Sequence, residues 1–169
     1  MKSLLSVILL FAGVLKGPTA FASLEEICWP NHATDPLTVS RIMYQFRDEL
    51  HEADLVVSVG SANPSAVSDT DLQTAANHVA TARACAEVVL TSTTDLYWPS
   101  SAFEMSGEEQ IAYLQSWKDY MTDFHTQLGE YRDRLIAEIQ LPVGERTFTE
   151  LSLIQGQVRE TANQAHHHL

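Results

Sequence analysis

The chain predicts an all-α fold, an up-down-up-down antiparallel four-helix bundle. Three observations predict it. Four segments carry apolar residues at sustained steps of three and four, no segment alternates with the period of a strand, and turn signals separate the four. Connections this short favour antiparallel neighbours.

The first helix follows Pro36 and shows Val39, Met43, Phe46, Leu50, Ala53 and Val57, with Gly60, Asn63 and Pro64 ending it. The loop from Ser58 to Ser68 is small and polar, the obvious flexible stretch. The second helix begins near Asp69 and buries Leu72, Ala76, Val79, Ala86 and Val89 or Leu90. "DLYWPSSAFEM" is then a connection with a concentration of aromatic residues. The third helix starts at Ser106, where Glu109 completes a capping box. It runs through Leu114, Trp117, Met121, Phe124, Leu128, Tyr131, Leu135 and Ile139 and stops before Pro142. The fourth starts near Thr147 or Thr149 and carries Leu151, Ile154, Val158, Ala162, Ala165 and Leu169.

Ahead of the bundle, Lys2 precedes the apolar run "LLSVILLFAGVL", and "AFA" precedes Ser23. A basic start, an apolar stretch and an A-x-A site predict a secretory signal over residues 1–22, leaving one domain over 23–169. The run is short of the about 20 residues a spanning helix needs. The expectation is a periplasmic or secreted protein with no membrane attachment after cleavage. Removing Lys2 and Lys16 moves the net charge from -12 to -14. That acidity argues against nucleic acid and anionic membranes as partners and suits a basic protein partner. Pairing of two such bundles into a homodimer through the first two helices stays open.

The two cysteines, Cys28 and Cys85, are expected to pair after export. Cys85 lies about two turns before the end of the second helix, at the end where the segment carrying Cys28 approaches the first.

In such a bundle one end gathers the start of the first helix, the end of the second, the start of the third and the end of the fourth. Met43, the "YWP" connection and His166 therefore meet there. Met43 lies roughly 9 Å into its helix, counting from Leu37 at about 1.5 Å per residue. A thioether facing an imidazole is an axial pair for haem iron. Either residue alone reads as core filler or as a polar helix end.

Residues 162–169 read A-x-x-A-H-x-x-L, in register with a haem-attachment C-x-x-C-H in which both cysteines are alanine. "LYWP" at 96–99 forms an aromatic-proline element, Trp117, Tyr120 and Phe124 form an aromatic stripe, and "RIMYQF" at 41–46 opens the first helix. In these features the chain resembles the cytochrome c′ family and its non-covalent, b-type periplasmic four-helix relatives. The resemblance implies haem b, with His166 as proximal ligand, Met43 as distal ligand, and Trp117, Phe124, Phe46 and Tyr97 walling the ring. It implies electron transfer with a basic redox partner, since a Met/His pair closes both axial positions. Without cysteine at 162 and 165 no thioether bond to haem can form, so covalent attachment is excluded.

Two alternatives stand beside this. One is a haem-less bundle of the same family, serving as a periplasmic binding or interaction module. The other is a divalent-metal site at His166, His167 and His168; adjacent helical residues point about 100° apart, which ranks it last. His51, His78 and His125 fall off the apolar stripes and are expected to face outward. No nucleophile is paired with a base at a diagnostic spacing, so the chain is not expected to be an enzyme.

Overall fold

The computed structural model of the chain describes residues 23–28, 39–91 and 105–167. The predicted signal and the aromatic connection with Tyr97 lie outside the described residues. Among those described the structure is all-α, with no strand. A short helix α1 (Leu24–Cys28) precedes four long ones: α2 (Val39–Ala62), α3 (Asp69–Thr91), α4 (Gly107–Ile139) and α5 (Phe148–His167). The chain-order neighbours α2 and α3, and α4 and α5, pack together, as do α3 and α4; α5 also packs on α2, and α1 lies chiefly on α3.

Local chemistry explains most boundaries. Pro64 has no N–H with which to extend α2, and it opens a 3-10 turn whose Asn63 side chain accepts from Ser65 N. Ser68 and Asp71 cap α3 reciprocally: the Ser68 hydroxyl accepts from Asp71 N, and the Asp71 carboxylate accepts from Ser68 N and Oγ. Ser106 and Glu109 form the capping box expected at α4. The same S-x-x-E logic operates at Ser23 and Glu26, whose reciprocal bonds start α1.

Three expectations need correction. The buried stripe of α2 is Ile42, Phe46, Leu50, Ala53 and Val57, and Met43 lies half-buried at its edge. Ile42 is four residues before Phe46, so the stripe returns by a full turn; Met43 is only three before, and is rotated toward the rim. Gly60 does not end α2, which continues to Ala62, and the loop shrinks to residues 63–68. The Phe148 ring packs against Gly60, where a side chain would overlap it. Finally, α3 is buried over a broader face than its apolar stripe suggested, with Ala75, Ala82, Ala84, Cys85 and Val88 added. Its neighbours α1, α2 and α4 take up that width, and the alanines let them approach.

The connections of residues 63–68 and 140–147 are tied to one another by buried charge. Arg146, almost wholly buried, donates from Nη1 to the Val67 carbonyl at 2.7 Å and pairs through Nη2 with the Asp69 carboxylate. Glu138, fully buried, accepts from Thr147 N and Thr147 Oγ1, each at 2.8 Å, and from Arg134 at 2.9 Å. Arg134 also reaches Glu150 at 2.6 Å, so the end of α4 and the start of α5 share one network.

At the other side of the molecule the sulfurs of Cys28 and Cys85 lie 2.13 Å apart, at disulfide distance, and both residues are fully buried. The pair spans a sequence separation of 57.

Two outcomes are expected. Gly60→Ala must displace the Phe148 ring or the helix, and should lower stability by about 1–3 kcal/mol in urea unfolding; an unchanged midpoint would show that the ring moves freely. Reducing the cysteine pair, or replacing Cys85 by Ser, should cost about 4 kcal/mol by loop entropy. Equal unfolding midpoints with and without reductant would show that no cross-link contributes.

Candidate functional site

Phe46 of α2 and Phe124 of α4 lie in direct ring contact in the core, centroids 4.0 Å apart with planes tilted by 38°. Both are fully buried, as are Ile42 and Met121. A flat ligand cannot be inserted between rings already in contact. The two phenyl groups fill the core against each other and are not two facing walls. Toward the N-terminal end of α4 lie Trp117, which is 4% exposed, and Tyr113, one turn further along. Met43, half-buried, packs against the core from α2.

The depth of His166 follows from the contacts between α2 and α5. Ser61 and Ser152 share a hydroxyl–hydroxyl bond of 2.8 Å, and the Asp54 carboxylate lies 3.6 Å from Arg159 Nε. Both contacts belong to one antiparallel register. Continued along α5, it sets the backbone of His166 level with Arg47, one turn from Met43, or about 6 Å along the axis. The side chain of His166 lies outside the described residues, as does Tyr97. The structure brings Phe46 and Phe124 into contact, with Met43 about one turn before Phe46 on α2 and Trp117 two turns before Phe124 on α4, and it runs the backbone of α5 beside α2.

Two polar atoms stand out there. Trp117 Nε1 and Tyr113 Oη are buried and have no hydrogen-bond partner among the described residues. An indole N–H can only donate, and an unsatisfied buried donor costs about 1–3 kcal/mol. Both lie on the same face of α4, since residues four apart are neighbours on a helix.

The remaining titratable clusters tie helices together. His78 Nδ1 meets Glu49 at 2.7 Å, between α2 and α3. His125 Nε2 accepts from Arg83 Nε at 3.1 Å, and Glu87 lies 3.6 Å from the same nitrogen. These two histidines are half-buried between helices rather than outward-facing, while His51 is exposed. The sequence stripes missed this because each polar partner sits on the neighbouring helix, out of view of a single-helix pattern. Among the described residues no three His, Cys, Asp or Glu side chains gather as a metal site, and no helix is long and apolar enough to cross a membrane.

A further polar group lies between α2, α4 and α5. Tyr131 Oη donates to Asp54 at 3.4 Å, and Asp54 also faces Gln155 and Arg159. Burial pushes the Asp54 carboxyl above the usual carboxylate range, only partly offset by the Gln155 hydrogen bond and the Arg159 charge. Burial and the Asp54 charge together push the Tyr131 phenol up as well.

No family model, no curated protein and no solved structure matches the chain.

The raised Asp54 carboxyl has a definite consequence for stability. Between its ordinary and its raised value the folded chain binds more protons than the unfolded one, so this group's contribution is greatest at low pH and falls as pH rises through the raised value. Asp54→Asn, fixed in the neutral form, should therefore be more stable than the parent at pH 7. That advantage should shrink as pH falls through the raised carboxyl value toward the ordinary carboxylate range, because the parent carboxyl then takes up its proton. Paired thermal melts across this range check it; an advantage independent of pH would contradict the assignment.

Proposed function

We propose that the chain is an exported, cytochrome-like protein, an up-down-up-down antiparallel four-helix bundle that binds haem b non-covalently for electron transfer. His166 would be the proximal ligand and Met43 the distal one, and Trp117, Phe46 and Phe124 would form the dry lining. The observation that carries this reading is the register of α5 on α2. It sets the backbone of His166 about one turn from Met43, near the level of Phe46 and Phe124. The resemblance of residues 162–169 to a haem-attachment motif stripped of both cysteines supports the same assignment. Bound haem would supply a one-electron iron couple, and a Met/His ligand set favours a raised potential. The acidic surface suits a basic redox partner. The cysteine pair at disulfide distance supports an oxidising compartment, periplasmic or extracellular.

A second reading is a haem-less bundle that acts as an interaction module. It is favoured by the outward face of α2, where Tyr44, Leu55 and Val59 recur at near-whole turns opposite the buried stripe. All three are about half exposed, in a helix whose core needs are met by other residues. Exposed apolar side chains arranged in a stripe mark contact surfaces.

Titration of the purified chain with haem, followed by absorbance, separates the readings. His166→Ala should abolish binding or weaken it at least about 100-fold, whereas His168→Ala should change it little. Met43→Ala should leave haem bound while altering the spectrum and lowering the potential. A chain that refuses added haem, or takes it equally well without His166, is the interaction module.

A further inference from the structure

The outward side of α2 carries a second helical seam, separate from the one that faces the core. Tyr44, Asp48, His51, Leu55, Ser58 and Ala62 follow one another at steps of four and three, and all are exposed. That spacing is the one by which a helix receives a partner helix. None of the described helices covers it. α3 meets α2 on one flank, where His78 reaches Glu49, and α5 meets it on the other, where Ser152 and Arg159 reach Ser61 and Asp54. At about 100° per residue, the seam lies on the side away from the buried Phe46 and Ala53. Its apolar groups occupy the two ends. Tyr44, 59% exposed, stands at one, and Leu55 with Val59, each about half exposed, at the other. The Arg47 guanidinium lies 5.4 Å from the centre of the Tyr44 ring and steadies it on the surface. Between the two ends stand Asp48 and Glu52, both exposed and neither with an ion-pair partner among the described residues.

This charge pattern selects the occupant. A second copy of the chain does not complement the seam: paired in parallel, Asp48 and Glu52 each meet their own equivalent. Paired antiparallel, with Tyr44 opposite Ala62, the two Glu52 residues fall about 3 Å apart along the axis, and Leu55 lies over His51. Like charges held so close oppose association. An anionic lipid surface is repelled by the same carboxylates and by the chain's net charge of -12. We propose that the outward seam of α2, from Tyr44 to Ala62, docks a basic amphipathic helix of a partner protein, one with Lys or Arg between two apolar turns about 16 Å apart. The proposal goes beyond the haem reading and shares no residue with the ligands named there. A single helix face is small, so the contact belongs to the weak, transient class, with its on-rate raised by charge.

The test uses the full chain and two designed helical peptides. Both carry two leucine turns at the Tyr44–Leu55 spacing; one has lysine between them and the other glutamate. By fluorescence anisotropy the lysine peptide should bind at least about tenfold more tightly than the glutamate peptide, and the difference should shrink as salt rises. Asp48→Lys together with Glu52→Lys should reverse that preference. Leu55→Ser together with Val59→Ser should weaken the lysine peptide about tenfold. Leu153→Ser, at an exposed leucine of α5, should change neither. All these positions are exposed, and circular dichroism checks that each variant keeps its helix content. Equal binding of the two peptides, binding of neither, or losses as large in Leu153→Ser overturn the docking surface. So does a parent chain that sediments as a dimer and becomes monomeric on Leu55→Ser with Val59→Ser, which assigns the seam to a second copy. Haem titration is a separate measurement, so failure here leaves the haem reading standing, and failure to bind haem leaves the seam standing.

Discussion

The rest of the structure hangs on a set of charges that the chain buries at one end. Glu138 is removed completely from water, and Arg146 almost completely. A buried ion is tolerable only when its hydrogen-bonding capacity is filled. For Glu138 the partners are Thr147 and Arg134, and for Arg146 they are the Val67 carbonyl and Asp69. These contacts involve the end of α4, the start of α5, the start of α3 and the turn that follows α2. Two clusters, adjacent through the Arg146–Thr147 peptide, therefore tie these four helix ends to one another. Register set there propagates along rigid helices to the far end, which explains why Ser61–Ser152 and Asp54–Arg159 obey a single alignment. The position of His166 beside the start of α2 is a consequence of charges buried more than a dozen residues away.

This division also explains what was legible. Helices were legible because their evidence is local: Ser106 and Glu109 cap each other, Pro64 lacks a donor, and apolar residues return every turn. Choosing between adjacent apolar residues was harder. Ile42 and Met43 both fit a stripe of threes and fours, and only the rotation of α2 in three dimensions buries one and leaves the other at the rim. Gly60 reads as a helix stop in isolation, but its role is to admit the Phe148 ring from another helix. Arg146 and Glu138 gave no signal, since a charged residue near a turn looks solvent-exposed until its distant partners are known. The pairing of Cys28 with Cys85 was legible because two cysteines allow a single intramolecular answer.

The candidate site shows the same split. Phe46, Phe124 and Trp117 were identified from helical spacing, and the core does contain them. Their arrangement lies beyond helical spacing: two of the rings touch, so they cannot enclose a flat ligand between them. Tyr113 Oη and Trp117 Nε1 lack partners among the described residues. Sequence patterns record which residue types recur, and they carry no account of whether a polar atom finds a partner.

The two functional readings draw on opposite faces of one helix. Ile42 and Phe46 face the core, while Tyr44, Leu55 and Val59 face outward from the same α2. A protein that passes electrons must keep its cofactor dry and still present a surface on which a partner can pause. An inward aromatic face and an outward apolar face on a single helix satisfy both needs over the shortest distance. The outward stripe is interrupted by Asp48 and Glu52, so its charge has the sign of the chain as a whole. Like charge disfavours a second copy of the same acidic chain on that face and favours a basic one. An outward apolar stripe interrupted by acidic residues is therefore a surface that either reading can use, because a partner of opposite charge meets it in the same way whatever the interior holds.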